Sequence, residues 1–226
     1  MSLLKLIGVL LDYPEDELWQ HGGELLDAVN DPALPAAWRK SLAAFARNLL
    51  DTDSLTAQDD WLCTFDRGRS MSLLLFEHIH GESRDRGQAM VDLIEAYRKN
   101  GFELSAKELP DYLPLVLEYL SHRPEEEARD WLHHVNQIVS LLAARASERK
   151  SPYAVLFEIL VELSEGKLEL GALRGRVSAE PRDDTPEAMD QLWEEEAVRF
   201  GADAPSDDCS PPGRKPRPSA AAQVQP

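Results

Sequence analysis

PEEEARDWLHHVNQIVSLLAARASERK, residues 124–150, carries a complete set of helix signals. Pro124 and the three acids after it suit a first helical turn, where proline needs no N–H partner and carboxylates meet the helix dipole. Apolar residues then recur at helical spacing along one face: Trp131, Val135, Ile138 and Leu142. Arg145, Arg149 and Lys150 place positive charge at the other end, as the dipole favours. The stretch predicts a long amphipathic helix that packs on a core.

Outward from this stretch, apolar runs with the same spacing predict further helices, and helix-start or helix-stop residues separate the runs. The predicted helices cover residues 1–11, 35–50, 55–65, 70–80, 83–101, 151–166 and 185–200, and one more continues beyond Pro114. The sequence shows neither the alternation of strands nor an internal repeat. It therefore predicts an all-α fold, a single irregular globular bundle of roughly eight to ten helices.

The composition changes at Gly201. Residues 201–226 hold six of the fifteen prolines and no Leu, Ile, Phe or Trp. Such a segment cannot bury enough apolar area to offset the entropy of ordering it. We therefore predict a helical domain over residues 1–200 and a Pro-rich, disordered C-terminal tail over residues 201–226.

The charge balance narrows the classes of partner. Lys and Arg total 24 against 41 Asp and Glu, which leaves a formal net charge of -17. Nucleic acid is disfavoured as a partner, because its binding depends on clustered positive charge. A basic client is favoured, because opposite charge attracts it to the surface.

The apolar and cysteine patterns indicate the compartment. The apolar run Leu3–Leu11 is too short to span a bilayer and continues into Asp12 without a cleavage pattern, so it predicts a first helix of the fold. Cys63 and Cys209 lie far apart and fit no disulfide or zinc spacing. We therefore expect a cytoplasmic protein without direct membrane insertion.

The polar segment 76–87 allows two interpretations. Its part from residue 77 to residue 82 contains four residues of metal-ligand types: Glu77, His78, His80 and Glu82. A metal bound there would make the chain a metal-dependent enzyme, but on one helix His78 and His80 point about 200° apart. The other interpretation is a polar helix junction held by ion pairs. The sequence lacks the common nucleotide-binding, serine-hydrolase and zinc-protease motifs, so we expect no catalysis, no metal and no stably bound cofactor.

Charged residues around this junction predict a second polar surface. Its members are Arg67, Arg69, Glu77, His78, His80, Arg84 and Arg86. The loop 66–70 also has two interpretations. It is either an anion-binding loop before a helix N-terminus or a charged turn in which Gly68 adopts a positive φ.

A second cluster is ELPDYLPLVLEY, residues 108–119. Pro110 and Pro114 stiffen the entry to a helix, and Asp111 is placed to cap the helix that continues beyond Pro114. The segment fits a rigid corner between helices as well as it fits a groove. Two acids beside tyrosines and aliphatic residues suit an amphipathic peptide with a few positive charges.

Several runs, in one consistent order over about residues 1–200, share one resemblance. They are FDRGR (65–69), LLLFEH (73–78), HGESRDRGQAMVDL (80–93), ELPD (108–111), LP (113–114), YAVLF (153–157), DDTP (183–186) and WEEE (193–196). Together they strongly resemble the NarJ-type assembly chaperones of respiratory nitrate reductase, which lie within the wider redox-enzyme maturation group.

The resemblance implies an all-helical, cytoplasmic chaperone that is absent from the finished enzyme. Its partner would be the apo catalytic (alpha) subunit of nitrate reductase, especially the N-terminal segment, which looks like a remnant twin-arginine signal. The chaperone would keep that subunit competent for insertion of the molybdenum cofactor and delay its docking to the membrane subunit. In the wider group a Glu-x-Pro-Asp-His motif is associated with client recognition. Glu108, Pro110 and Asp111 match this motif, and Tyr112 stands where it has His.

We combine the resemblance with the groove interpretation. The predicted client-peptide-binding residues are Glu108, Pro110, Asp111, Tyr112, Pro114, Leu115 and Tyr119. Glu108 and Asp111 would meet positive charge on the client, while Tyr112, Leu115 and Tyr119 would line the groove. A helical scaffold for another client relies on the same groove physics and is the remaining alternative. The chain is expected to act as a monomer or a dimer.

Overall fold

A computed structural model of the protein describes residues 3–80, 85–104, 108–164 and 170–191. These residues form eleven α-helices labelled below, the start of a further helix at Pro186 and one 3-10 turn, and the described residues contain no β-strand beyond one isolated bridge. The helices are α1 (Leu3–Leu11), α2 (Asp16–Gln20), α3 (Gly22–Val29), α4 (Ala36–Asp51), α5 (Ser54–Phe65), α6 (Leu75–His80), α7 (Asp85–Lys99), α8 (Leu113–Ser121), α9 (Glu125–Glu148), α10 (Ala154–Leu163) and α11 (Leu170–Val177), and the 3-10 turn covers Arg69–Met71. The all-α prediction is confirmed.

The chain divides into two compact units, Met1–Met189 and Asp190–Pro226. Of the second unit the structure describes only Asp190 and Gln191. The predicted boundary at residue 200 and the predicted tail over residues 201–226 lie outside the described residues and stay predictions.

The core forms where apolar helix faces meet. α1 packs against α8, and α9 packs against α10 and α11. The buried stripe of α9 includes Leu132, Val135, Ile138 and Leu142. Burial of each such side chain contributes roughly 1.5–3 kcal/mol before entropy is counted. The long helix predicted over residues 124–150 is therefore present as α9 and supplies one wall of the core.

α1 confirms the first helix that its apolar run predicts. Its buried side chains are Leu6, Ile7, Leu10 and Leu11, and each is at most 1% exposed. Burial against α8 accounts for the apolar character of the run. None of the helices that the structure describes combines the length and apolar character needed to cross a bilayer.

Several helix ends follow local signals. Gly101 adopts a φ of 75° two residues after α7 ends, as the left-handed stop at Asn100-Gly101 predicts. The helix that begins at Pro186 has Thr185 before it, and the Thr185 hydroxyl accepts a hydrogen bond from Ala188 N over 3.2 Å. These ends depend only on residues within one turn, which is why the sequence reveals them.

The prediction of one helix over residues 70–80 is wrong in its first half. Only Leu75–His80 is α-helical, because residues before it pair with a distant part of the chain. Leu113 N donates a hydrogen bond to the Leu73 carbonyl over 2.9 Å, and Leu74 forms an isolated antiparallel bridge with Tyr112. Pairing with residues 112–113 keeps residues 72–74 out of α6.

The predicted cap of α8 is also wrong. α8 begins at Leu113 after Tyr112, and no side chain caps its first turn. The Asp111 carboxylate instead accepts a hydrogen bond from Phe76 N over 3.0 Å, in the first turn of α6. Asp111 is a residue type suited to capping, but it caps α6 instead of α8.

Candidate functional site

A cleft of about 660 Å³ opens where the end of α1, α5 and the segment 108–112 meet. Aromatic side chains form part of its walls: Tyr13, Trp61, Phe65 and Tyr112. Acidic residues also line it: Asp12, Glu15, Asp66 and Glu108. Among the described residues of this lining there is no Lys, Arg or His. We call this cleft the acidic groove; its charge attracts a positively charged ligand and its walls offer apolar surface.

Hydrogen bonds hold the walls of the acidic groove together. The Tyr112 hydroxyl donates to Asp12 Oδ1 over 2.8 Å, and Tyr13 N donates to the same oxygen over 2.9 Å. Trp61 Nε1 donates to the Leu11 carbonyl over 2.8 Å. The Tyr13 and Trp61 rings meet edge to face, with centroids 5.4 Å apart. Three separate parts of the chain are thus joined, so the groove is preformed.

Desolvation changes the proton affinity of the Asp12–Tyr112 pair. It raises the pKa of Asp12, although the hydrogen bond from Tyr112 opposes the shift. Desolvation, followed by the negative charge of Asp12, raises the pKa of Tyr112. Tyr112 therefore stays a neutral donor at physiological pH, and its hydroxyl remains bonded to Asp12.

A smaller cleft of about 210 Å³ shares residues with the acidic groove. Asp12, Glu108 and Tyr112 line both clefts, while Pro114 and Leu115 line only the smaller one. The apolar residues at the start of α8 therefore extend the surface that begins in the acidic groove.

The seven residues predicted for client-peptide binding fall into two sets. Four of them line one or both clefts: Glu108, Tyr112, Pro114 and Leu115. The other three are buried and line neither cleft: Pro110, Asp111 and Tyr119. The first set contributes to the cleft walls, although Pro114 is itself buried, and the second set lies in the interior. A role in client binding stays a prediction for all seven.

Asp111 has a structural partner inside the fold. Besides the bond from Phe76 N to its carboxylate, its backbone carbonyl accepts a hydrogen bond from Leu75 N over 3.1 Å. Both donors belong to the first turn of α6, where N–H groups have no partner within the helix. Burial raises the pKa of Asp111, and the bond from Phe76 opposes that shift. Asp111 therefore satisfies the start of a helix 35 residues away in the chain.

The rest of the buried set anchors the segment to the end of α7. The Tyr97 hydroxyl donates a hydrogen bond to the Pro110 carbonyl over 2.7 Å. Asn100 Nδ2 donates to the Tyr119 hydroxyl over 2.8 Å, and the Tyr97 and Tyr119 rings lie 4.6 Å apart. The interpretation as a rigid corner thus describes the residues that line neither cleft, and the groove interpretation concerns the residues that line one.

The described members of the predicted second polar surface have different ion-pair partners, and the surface itself stays a prediction. Arg67 pairs with Asp59 over 3.8 Å, whereas Glu77 pairs with Arg86 over 3.4 Å. Arg69 lies in the 3-10 turn. Two members lie outside the described side chains: His80 and Arg84.

The described residues of the predicted metal site also have separate partners. His78 Nε2 donates a hydrogen bond to the Ser72 carbonyl over 2.8 Å, while Glu77 faces Arg86. Burial lowers the pKa of His78, which favours the neutral ring. Glu82 lies outside the described residues, and in the rest no group of three or more His, Cys, Asp or Glu is arranged to hold a metal ion. For Glu77, the ion-pair interpretation fits.

The loop 66–70 requires a correction. Gly68 has a φ of −144°, which is ordinary extended backbone, so the predicted positive φ is wrong. The loop does bind an anion, but the anion is the Asp183 carboxylate of the same chain, which accepts a hydrogen bond from Ser70 N over 2.7 Å. The anion-binding interpretation therefore fits an internal ligand.

Sequence reasoning missed most of the acidic groove, because only Glu108 and Tyr112 among its lining residues were predicted for it. The missed lining residues include Asp12, Tyr13, Glu15, Trp61 and Asp66. A signal was present in the acidic and aromatic run that follows the first apolar helix. That run lies about 100 residues before Tyr112, and no local pattern indicates that the two meet.

Comparisons with known proteins give a family and a fold. A family model described as nitrate reductase delta subunit matches residues 31–158. The chain is 47% identical over 204 residues to the nitrate reductase molybdenum cofactor assembly chaperone NarJ of Escherichia coli K12. The aligned region covers 90% of this chain and 86% of that protein. Over 212 residues it is 45% identical to NarW of the same strain, named as a probable chaperone of the same kind, with coverage of 93% and 89%.

A solved structure is similar in fold. It is the crystal structure of an Archaeoglobus fulgidus protein named for redox enzyme maturation, with a TM-score of 0.51. The match covers 72% of this chain and 91% of that chain at 21% identity. At that identity the likeness supports the all-α fold alone.

Proposed function

The chain belongs to the nitrate reductase delta subunit family, and on that premise we propose that it is a cytoplasmic assembly chaperone for nitrate reductase. Its client is the apo catalytic (alpha) subunit, which it keeps competent for insertion of the molybdenum cofactor. It delays docking of the client to the membrane subunit until the cofactor is in place. It is absent from the final enzyme, has no catalytic activity and binds no cofactor stably.

The observation that carries this proposal is the 47% identity over 90% of the chain to a protein named as such a chaperone. A second relative, at 45% identity, is named for the same role. The likeness extends over most of the length of both relatives, so it is not limited to one short shared region.

We place the N-terminal segment of the client in the acidic groove. A segment with positive charges and an apolar face would meet Asp66 and Glu108 at the rim and Tyr13 and Trp61 on the walls. Charge attraction speeds the encounter and excludes acidic partners, while burial of apolar surface keeps the complex together. The preformed groove lowers the entropy lost on binding.

Capture of the client from cells tests the proposed function. Tagged protein is used to pull down the apo catalytic subunit, expressed with and without its N-terminal segment. We expect capture of the complete subunit and a strong reduction when the segment is removed. Equal capture of both forms would place the contact elsewhere on the client, and failure to capture either form would contradict the chaperone proposal.

Calorimetry with the isolated N-terminal peptide tests the site. Glu108→Gln and Asp66→Asn each remove an exposed rim charge without removing hydrogen-bonding capacity. Each should weaken binding by about 1 kcal/mol or less, roughly fivefold at most, and reduce its dependence on salt. The affected charges are screened by salt, so the difference from wild type should shrink at high ionic strength.

Glu95→Gln is the matched control, because Glu95 is an exposed acid on α7 that lines neither cleft. It changes the net charge by the same amount and should leave the affinity unchanged. Equal weakening by all three variants would mean that net charge, rather than the acidic groove, attracts the peptide. Unchanged affinity and salt dependence in the two rim variants would contradict the site.

A further inference from the structure

The loop 66–74 has two different sides. Asp66, Ser72, Leu73 and Leu74 line the acidic groove. Gly68 and Ser70, in the same loop, face Asp183 instead. The wall of the groove is thus continuous with a second site that holds a carboxylate.

Asp183 makes three direct polar contacts in this second site. Ser70 N donates to Oδ2 over 2.7 Å, and the Ser70 hydroxyl donates to Oδ1 over 2.5 Å. Arg149 Nη2 donates to Oδ1 over 3.0 Å and to the Ser70 hydroxyl oxygen over 2.6 Å. Arg145 Nη1 donates to the Ser70 carbonyl over 2.8 Å. The loop is therefore fixed through Ser70 to both the carboxylate and the end of α9.

Gly68 gives the carboxylate its space. A Cβ at this position would lie 2.7 Å from Asp183 Cγ and 2.8 Å from each carboxylate oxygen. The backbone φ of −144° is open to any residue, so only the close approach requires glycine. Burial raises the pKa of Asp183, but hydrogen bonds from Ser70 and Arg149 outweigh it and lower that pKa. The side chain is 34% exposed, so solutes can reach the site when it is vacated.

We propose that Gly68, Ser70 and Arg149 form a carboxylate receptor, and that Asp183 occupies it to hold the 66–74 loop in the shape of a groove wall. Asp183 is thus a positioning residue for client binding, although it lines neither cleft. The effect on the client rests on the proposed function. The receptor itself does not, because any small carboxylate can test it.

Neighbouring ion pairs help to hold the segment around Asp183 in place. Arg145 Nε donates to Glu180 Oε2 over 2.8 Å. Arg182 Nε donates to Asp184 Oδ1 over 2.9 Å, and Arg149 lies 3.5 Å from the other oxygen of Asp184. When Asp183 is replaced, the Arg145–Glu180 and Arg149–Asp184 pairs still hold the segment to the end of α9. Loss of the single carboxylate therefore empties the receptor without releasing the whole segment.

The experiment uses the full chain with Asp183→Ala, with sodium formate as the probe and sodium chloride at matched ionic strength as the salt control. We expect formate to raise the thermal midpoint of Asp183→Ala saturably and to leave wild type unchanged. Affinity for the N-terminal client peptide should fall about tenfold in Asp183→Ala, within the usual range for coupled sites, and formate should restore it.

Two variants provide controls. Glu187→Ala removes an exposed acid from the same segment, and it should behave as wild type in both measurements. Gly68→Ala keeps Asp183 but fills its space, so it should lose peptide affinity without rescue by formate. Rescue is the readout that a merely structural loss of Asp183 would not produce.

The outcomes separate the two claims. If formate stabilises Asp183→Ala no better than chloride does, the receptor is contradicted. If formate stabilises the variant but peptide affinity equals that of wild type, the positioning role is contradicted. If wild type itself binds no peptide, the proposed site fails, while the thermal measurement still supports or contradicts the receptor.

Discussion

The rim of the acidic groove and the interior behind it use the same residue types for different purposes. Glu108 lies exposed at the rim, and three residues later Asp111 is 0% exposed and satisfies the start of α6. Tyr112 lines both clefts, whereas Tyr119 is buried and accepts a hydrogen bond from Asn100.

The difference teaches that one short motif can serve recognition and stability together. Its exposed residues keep their charge available to a partner. Its buried residues satisfy backbone groups that would otherwise lack a hydrogen bond, and such groups cost free energy when buried. A substitution in the motif therefore needs a measurement of both stability and binding before its effect is assigned.

The largest expected effect comes from Asp111→Ala, which breaks the buried side of the comparison. The change leaves Phe76 N without its acceptor in a partly buried environment. We expect a loss of about 2 kcal/mol in the free energy of unfolding, from the unsatisfied donor and the lost cap. Urea denaturation followed by circular dichroism measures it.

Asp111→Asn sharpens the same test. Its amide oxygen still accepts from Phe76 N and carries no charge to desolvate, so stability should stay within about 1 kcal/mol of wild type. Burial raises the pKa of Asp111, so ionisation destabilises the wild type as pH rises through that pKa, and the variant lacks this dependence. Strong loss of peptide binding in a stable Asp111→Asn protein would show that the buried charge acts on the client after all.

A smaller effect is expected from Tyr97→Phe, which removes the anchor of Pro110. The hydroxyl hydrogen bond to the Pro110 carbonyl is buried, and its loss should cost about 1 kcal/mol. Tyr13→Phe is the matched control, since the Tyr13 hydroxyl makes no hydrogen bond among the described residues and the change should be nearly neutral. Equal losses in the two variants would contradict the anchoring role.

A still smaller effect is expected on the pH dependence of stability, through His78. Burial lowers its pKa, so as pH falls below about 6.5 the unfolded chain takes up a proton that the folded protein does not. Stability is therefore lost as pH falls from that value to the lowered pKa. His78→Gln should reduce this loss, whereas His134→Gln, at an exposed position of α9, should retain it. Thermal midpoints measured between about pH 7.5 and 5.5 compare the three proteins.

The smallest effect on stability is expected at the rim. Glu108→Gln and Asp66→Asn change exposed side chains, so the free energy of unfolding should stay within about 0.5 kcal/mol of wild type. The same two variants are those expected to weaken peptide binding. A rim variant that unfolds as easily as Asp111→Ala would remove the distinction between the two sides of the motif.

Part of the candidate site could be predicted from the segment 108–119 alone. Glu108, Tyr112, Pro114 and Leu115 were predicted as groove residues, and they line the clefts. Asp111 was assigned to a helix cap and to the client, but its real partner could not be predicted, because an acid beside prolines gives the same pattern whether it meets solvent, a client or a helix 35 residues away. The opposite wall of the groove escaped prediction altogether.

The sequence by itself determined the all-α class, the buried faces of α1 and α9, and helix ends such as Gly101. These features arise from residues within one or two turns of each other, so periodicity and capping residues reveal them. Only the tertiary structure decided that Asp12 meets Tyr112, that Asp111 is buried, and that Asp183 fills the loop beside Gly68. Each of these contacts joins residues far apart in the chain, and packing of the helices brings them together.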